Sequence, residues 1–78
     1  MVVQAYILVQ TEVGKAALVA RAIAEVKGVT VAEDVTGPYD VIVRAHSSTV
    51  DQLGEMVVSK IQKIDGITRT LTCPVVTF

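Results

Sequence analysis

Val26-Lys27-Gly28-Val29-Thr30 recurs later in the chain as Ile64-Asp65-Gly66-Ile67-Thr68. Each pentapeptide has the pattern of a helix end, a glycine that stops the helix, and the start of a strand. A helical period precedes each glycine, and an apolar run rich in β-branched residues follows it. Because a strand also opens each half, the chain is predicted to contain two βαβ units of similar length.

Two such units in 78 residues predict one α+β domain spanning residues 1–78. The expected architecture is a ferredoxin-like βαββαβ sandwich, in which two helices cover one face of a four-stranded antiparallel sheet. Thr49 and Gln52 fit a capping box at the start of the second helix. The predicted strands are 3–10, 29–35, 40–46 and 67–77, and the predicted helices are 14–27 and 49–64.

Apolar residues recur at helical spacing in both helices, which predicts one core-facing side on each. The first set is Val13, Ala16, Ala20, Ile23 and Val26, and the second is Leu53, Val57, Ile61 and Ile64.

The first and last strands are apolar on both faces. Tyr6 and Leu8 alternate with the apolar residues of the first strand. In the last strand, one predicted face carries Ile67, Leu71, Cys73 and Val75, and the other carries Val76 and Phe78. A sheet covered on one side only should have a polar free face. The sequence therefore predicts that the free face packs against a second copy, giving a sheet-to-sheet dimer.

Composition excludes several classes of protein. Seven basic and eight acidic residues are evenly spread, which argues against nucleic acid as a direct partner. No apolar run approaches the length of a membrane span, and the N-terminus lacks the charged region of a secretion signal. One cysteine, Cys73, excludes an internal disulfide and fits a reducing compartment, so we expect a cytoplasmic protein.

Val35-Thr36-Gly37-Pro38-Tyr39-Asp40 lies between two apolar runs and predicts a tight turn. Gly37 is open to backbone angles that other residues avoid, and Pro38 fixes its own φ. Backbone N–H groups, a carboxylate and an aromatic ring on a rigid turn suit a small zwitterion. They equally suit a structural turn whose aromatic covers the core.

The element order, the Val-Thr-Gly-x-Tyr-Asp turn and the Thr70-x-Thr72 strand after Asp65-Gly66 resemble the ligand-binding (RAM) domain of the Lrp/AsnC, leucine-responsive and asparagine regulator, family. The resemblance covers the chain from Ala5 to Val76. Full-length members carry an N-terminal helix-turn-helix domain. We expect a stand-alone RAM protein here, because the chain begins at the first RAM strand, and DNA binding is not carried over.

The resemblance implies an oligomeric sensor, not an enzyme, that binds an amino acid in clefts between dimers, with up to four dimers in an octamer. Its partners would be the effector, other copies, and a full-length family regulator through which it modulates transcription. The implied ligand-binding residues are Thr36, Gly37, Tyr39, Asp40, Thr70 and Thr72. Four of the six have a structural alternative, in which Asp40 serves only to cap the turn, Tyr39 to pack between dimers, and Thr70 and Thr72 to suit a strand.

A second hypothesis is a small dimeric ferredoxin-like enzyme, such as a cofactor-free monooxygenase or isomerase, with a pocket inside each subunit between the helices and the sheet. His46 is the only histidine, and no nucleophile or orienting acid is indicated near it. Glu33 and Asp34 are adjacent on a strand, so they point to opposite faces and form no dyad. No cofactor or metal site is expected.

Overall fold

The computed structural model describes residues 2–76, and within them the predicted order of elements is confirmed. The elements are β1 (Val3–Thr11), α1 (Ala16–Ala24), β2 (Val29–Asp34), β3 (Val41–Ser47), α2 (Val50–Met56) continuing into a π turn (Val57–Ile61), and β4 (Ile67–Pro74). The predicted extension of the last strand to Thr77 lies outside the described residues, as does Met1 of the predicted 1–78 domain.

The four strands form one antiparallel sheet in the order β2-β3-β1-β4. The two helices cover one face, as a ferredoxin-like sandwich requires. Inward residues of the two central strands alternate with outward ones, and the inward set is fully buried against both helices. The buried core consists of Ala5, Ile7, Val9, Val19, Ala20, Ile23, Val41, Val43, Ala45, Leu53, Val57 and Ile61.

The first helix is shorter than predicted. It begins at Ala16, after a turn in which Gly14 has φ +80°, and its buried residues are Val19, Ala20 and Ile23. Val13, predicted to face the core, is fully exposed in that turn. Val13 fits the helical spacing but lies outside the helix, because the turn at Gly14 comes before the helix begins.

The second helix follows its predicted face and cap. The Gln52 N–H donates to Thr49 Oγ1 at 3.0 Å, which is the hydrogen bond that the N-cap side chain accepts in a capping box. Leu53, Val57 and Ile61 are buried. The last turn widens, with the Gln62 N–H donating to the Val57 carbonyl at 2.8 Å, five residues back.

The predicted helix ends are wrong by three residues: α1 ends at Ala24 and the π turn ends at Ile61, not at 27 and 64. Gly28 and Gly66 therefore lie in the turns before the next strands, and each is followed by a β-bulge. Gly28 and Gly66 have φ of +97° and +98°, a left-handed conformation that glycine adopts readily. Two residues later the register shifts, so that Thr30 in β2 and Thr68 in β4 are extra residues in their strands. The Thr68 bulge makes the prediction for β4 wrong in one respect: Ile67 packs against the core, opposite to Leu71 and Cys73.

The free face of the sheet carries an apolar row across three strands. Leu8 in β1 pairs with Ile42 on one side and Leu71 on the other, so the three side chains share this face. Leu71 is 43% and Ile42 38% exposed. Beside the row, the Arg44 guanidinium lies 5.6 Å from the centre of the Tyr6 ring. The predicted apolar free face is present in the single chain.

Within residues 2–76, none of the helices has the length and apolar content needed to cross a membrane.

Candidate functional site

The predicted turn connects β2 to β3 and is closed by a backbone hydrogen bond. The Val35 N–H donates to the Asp40 carbonyl at 2.9 Å, and residues 36–40 form a continuous bend between them. Thr36 and Gly37 are exposed, whereas Tyr39 and Asp40 are half-buried. The turn therefore presents its first part to solvent and anchors its last part.

Asp40 supplies the anchor through both its backbone and its carboxylate. Its N–H donates to the Val9 carbonyl at 2.8 Å, and its Oδ2 accepts the Thr11 N–H at 2.8 Å. Asp40 therefore has a structural role, but not the predicted one: its carboxylate binds the backbone at the end of β1 and does not cap its own turn. That contact involves one carboxylate oxygen, and a carboxylate can accept several hydrogen bonds.

A second side-chain hydrogen bond joins the turn to β1. The Gln10 Nε2 donates to the Pro38 carbonyl at 3.1 Å. Gln10 pairs directly with Arg69 of β4, so both side chains lie on the free face of the sheet. Sequence reasoning missed Gln10 and Thr11, because only the sheet register brings them beside the turn.

Gly37 does not use the conformation expected of it. Its φ is not positive, and a Cβ built there would meet no heavy atom within 4 Å. The fold of the single chain therefore imposes no glycine at this position. The missing side chain leaves exposed backbone that another molecule can approach closely.

Thr70 and Thr72 share one face, as predicted, and it is the helix-covered face. They pair with the inward residues Val9 and Ile7, and Thr70 Oγ1 accepts the Gln62 Nε2 at 2.8 Å. Val9 in turn pairs with Val41, which directly follows the turn. The turn and Thr70 thus lie at the same end of the sheet with β1 between them, about 10 Å apart by strand spacing. One chain does not bring the two groups into contact.

The space predicted for an enzyme pocket, between helices and sheet, is filled by the aliphatic core. His46 lies at the other end of β3, with Nδ1 3.3 Å from Thr30 Oγ1. Among residues 2–76, no three His, Cys, Asp or Glu side chains cluster as a metal site.

The family model of the Lrp/AsnC ligand-binding domain matches residues 4–77. The chain belongs to the Lrp/AsnC ligand-binding domain family. The chain is similar to the crystal structure of TTHA0845 from Thermus thermophilus, with a TM-score of 0.90 and 28% sequence identity. The match covers 97% of this chain and 95% of TTHA0845. None of the curated proteins matches the chain significantly.

Two solved regulators contain the same Lrp/AsnC fold within longer chains. Escherichia coli AsnC superposes with a TM-score of 0.88 and 25% identity, over 97% of this chain and 52% of AsnC. The Neisseria meningitidis transcriptional regulator NMB0573, solved with L-methionine, superposes with a TM-score of 0.83 at 18% identity, over 96% of this chain and 50% of the regulator. The chain thus spans about half the length of these two regulators.

Proposed function

We propose that this domain is an oligomeric effector sensor that binds an amino acid at the turn between β2 and β3, in clefts between dimers. The observation that carries the proposal is Gly37: it is exposed, its side is open, and the fold itself does not require a glycine there. Membership of a family of ligand-binding domains supports the sensing role. The L-methionine complex of the Neisseria meningitidis relative supports an amino acid as the class of effector.

The chemistry of the turn fits a zwitterion. Backbone N–H groups at the exposed residues Thr36 and Gly37 can receive an α-carboxylate. The Asp40 carboxylate, held in place through Oδ2 by the Thr11 N–H, can accept an α-ammonium group in a charge-assisted hydrogen bond. The Tyr39 ring forms one side of the pocket for the side chain of the bound amino acid.

In this proposal the remaining contacts come from a neighbouring copy. Thr70 and Thr72 lie on β4, an edge strand of the sheet, and β1 separates them from the turn of their own chain. A second dimer placed against the turn supplies these hydroxyls across the cleft. Dimers form through the apolar row of Leu8, Ile42 and Leu71, and dimers assemble further, up to an octamer.

Effector binding acts by shifting the assembly. Dissociation constants near millimolar correspond to about −4 kcal/mol, which a few charge-assisted hydrogen bonds in a partly closed cleft supply. The effector biases the oligomer only if its affinity differs between assembly states. The domain then modulates transcription regulation in the cytoplasm through a full-length family regulator or another partner protein, without catalysis.

The test is the mass in solution, measured by light scattering after size exclusion, with each of the twenty amino acids at millimolar concentration. We expect a dimer or larger assembly whose mass shifts with one amino acid or a small chemical group of them. A mass that no amino acid changes, together with no binding heat by calorimetry, would reject the sensor.

A further inference from the structure

A second candidate binding site lies at the opposite end of the sheet from the turn. It is an open cleft of about 840 Å³ between residues 25–28 after α1, residues 46–48 at the end of β3, and one side of residues 52–60. We call it the helix-end cleft. Ligand pockets typically occupy roughly 300–1,000 Å³, so this space suits a molecule larger than one amino acid.

The base of the helix-end cleft is fixed by close packing around Gly28. The His46 N–H donates to the Gly28 carbonyl at 2.8 Å. A Cβ on Gly28 would lie 3.0 Å from the His46 carbonyl oxygen and 3.2 Å from the Met56 Sδ. The half-buried side chains of Val26 and Met56 give the cleft an apolar floor.

The π turn shapes the wall formed by the second helix. π turns are rare and occur frequently at functional sites. Here Val57 and Ile61 remain in the core, while Ser59 and Lys60 line the cleft. The Ser59 hydroxyl donates to the Glu55 carbonyl at 2.6 Å, which orders this wall.

Each wall carries one acid and one base. Glu25 and Lys27 come from the segment after α1, and Glu55 and Lys60 come from the second helix. A ligand with one ammonium and one carboxylate can therefore span the cleft in charge-assisted contact with both walls. Its middle has to be apolar to cover Val26 and Met56.

We propose that the helix-end cleft binds a short apolar peptide with free termini, such as a dipeptide, separately from the effector site at the turn. The carboxylate contacts Lys60 of the second helix, the ammonium contacts Glu25 on the opposite wall, and the apolar side chains pack on the floor. Binding here needs no second copy of the chain.

The test is isothermal calorimetry of the full chain with L-leucyl-L-leucine. Lys60→Glu is expected to weaken binding at least about fivefold, since it removes one charge-assisted contact and adds a like charge. Lys63→Glu is the matched control: the lysine is exposed, does not line the cleft, and makes the same change in net charge. N-acetyl-leucyl-leucine amide, which lacks both terminal charges, should bind at least about fivefold more weakly than the free dipeptide.

Equal affinities for the Lys60→Glu and Lys63→Glu variants, or no binding heat with the wild-type chain, would overturn the proposal. Dipeptide binding lost in Asp40→Asn but kept in Lys60→Glu would assign the ligand to the turn, overturning the cleft while leaving the sensor intact. The sensor fails separately, through the absence of any response to single amino acids.

Discussion

The Asp40 carboxylate holds the backbone N–H of Thr11, 29 residues away in sequence, at 2.8 Å. This contact ties the exposed turn to the end of β1, so the residue proposed to bind an ammonium group is also a structural residue. Removing Asp40 altogether would confuse the two roles, and the variant used has to separate them.

Asp40→Asn is the separating variant. The amide oxygen can still accept the Thr11 N–H, whereas the charge that attracts an ammonium group is lost. We expect a melting temperature within a few degrees of wild type and a clear loss of amino-acid affinity. Asp40→Ala should lose both, with a stability cost of roughly 1–2 kcal/mol for the unpaired N–H. Amino-acid binding unchanged in Asp40→Asn would remove Asp40 from the site.

Gly37→Ala and Gly66→Ala form a matched pair for backbone freedom. At Gly37 the added Cβ meets open space and φ is not positive, so stability should be unchanged or raised by up to about 1 kcal/mol. At Gly66, with φ +98° and Val19 Cγ2 3.2 Å from the new Cβ, we expect a loss of about 1–2 kcal/mol or more.

Thermal unfolding by circular dichroism checks the pair, and a domain this size shifts by roughly 4–8 °C per kcal/mol. Amino-acid affinity that falls in Gly37→Ala despite normal stability would support close approach of a ligand to the turn. If Gly37→Ala proved as unstable as Gly66→Ala, the open geometry described for the turn would be wrong.

Leu71→Glu tests self-association through the free face of the sheet. Leu71 is 43% exposed and lies in the apolar row, so a charge there should raise the dimer dissociation constant at least about tenfold. Leu18→Glu is the control, because Leu18 is 59% exposed on α1, in the helical layer. Sedimentation velocity over a concentration series gives both values, and equal dissociation in the two variants would place the dimer interface elsewhere.

Thr49→Ala tests the cap of the second helix. Loss of the hydroxyl that accepts the Gln52 N–H should cost about 1 kcal/mol, or several degrees in melting temperature. Ser48→Ala, one residue earlier and equally exposed, should melt close to wild type. Indistinguishable melting of the two variants would show that the cap contributes nothing measurable.

The sequence was sufficient for the features that local chemistry determines. Thr49 caps the second helix, and Gly28 and Gly66 adopt the left-handed backbone of the turns directly before β2 and β4. These residues mark boundaries between elements through their own side-chain and backbone preferences. The apolar faces of β1 and α2 were equally visible, because each keeps its period without interruption.

Features that depend on partners distant in sequence were not predictable. Two hydrogen bonds form only once β1 and β3 are paired: one joins Asp40 to Thr11, and the other joins Gln10 to Pro38. Gly37 suggested a left-handed turn residue, but the loop closes without one. The placement of Thr70 and Thr72 relative to the turn also required the strand order, which puts β1 between them.

The bulge at Thr68 works as a phase shift for the whole of β4. In a regular strand that kept Ile67 inward, Thr70 and Thr72 would emerge on the free face and Leu71 would turn towards the helices. By absorbing one residue, the bulge exchanges the two sets, so the free face shows leucine and the threonines face the helical layer. One extra residue thus determines whether β4 contributes hydroxyl groups that bind water or an apolar side chain to the free face of the sheet.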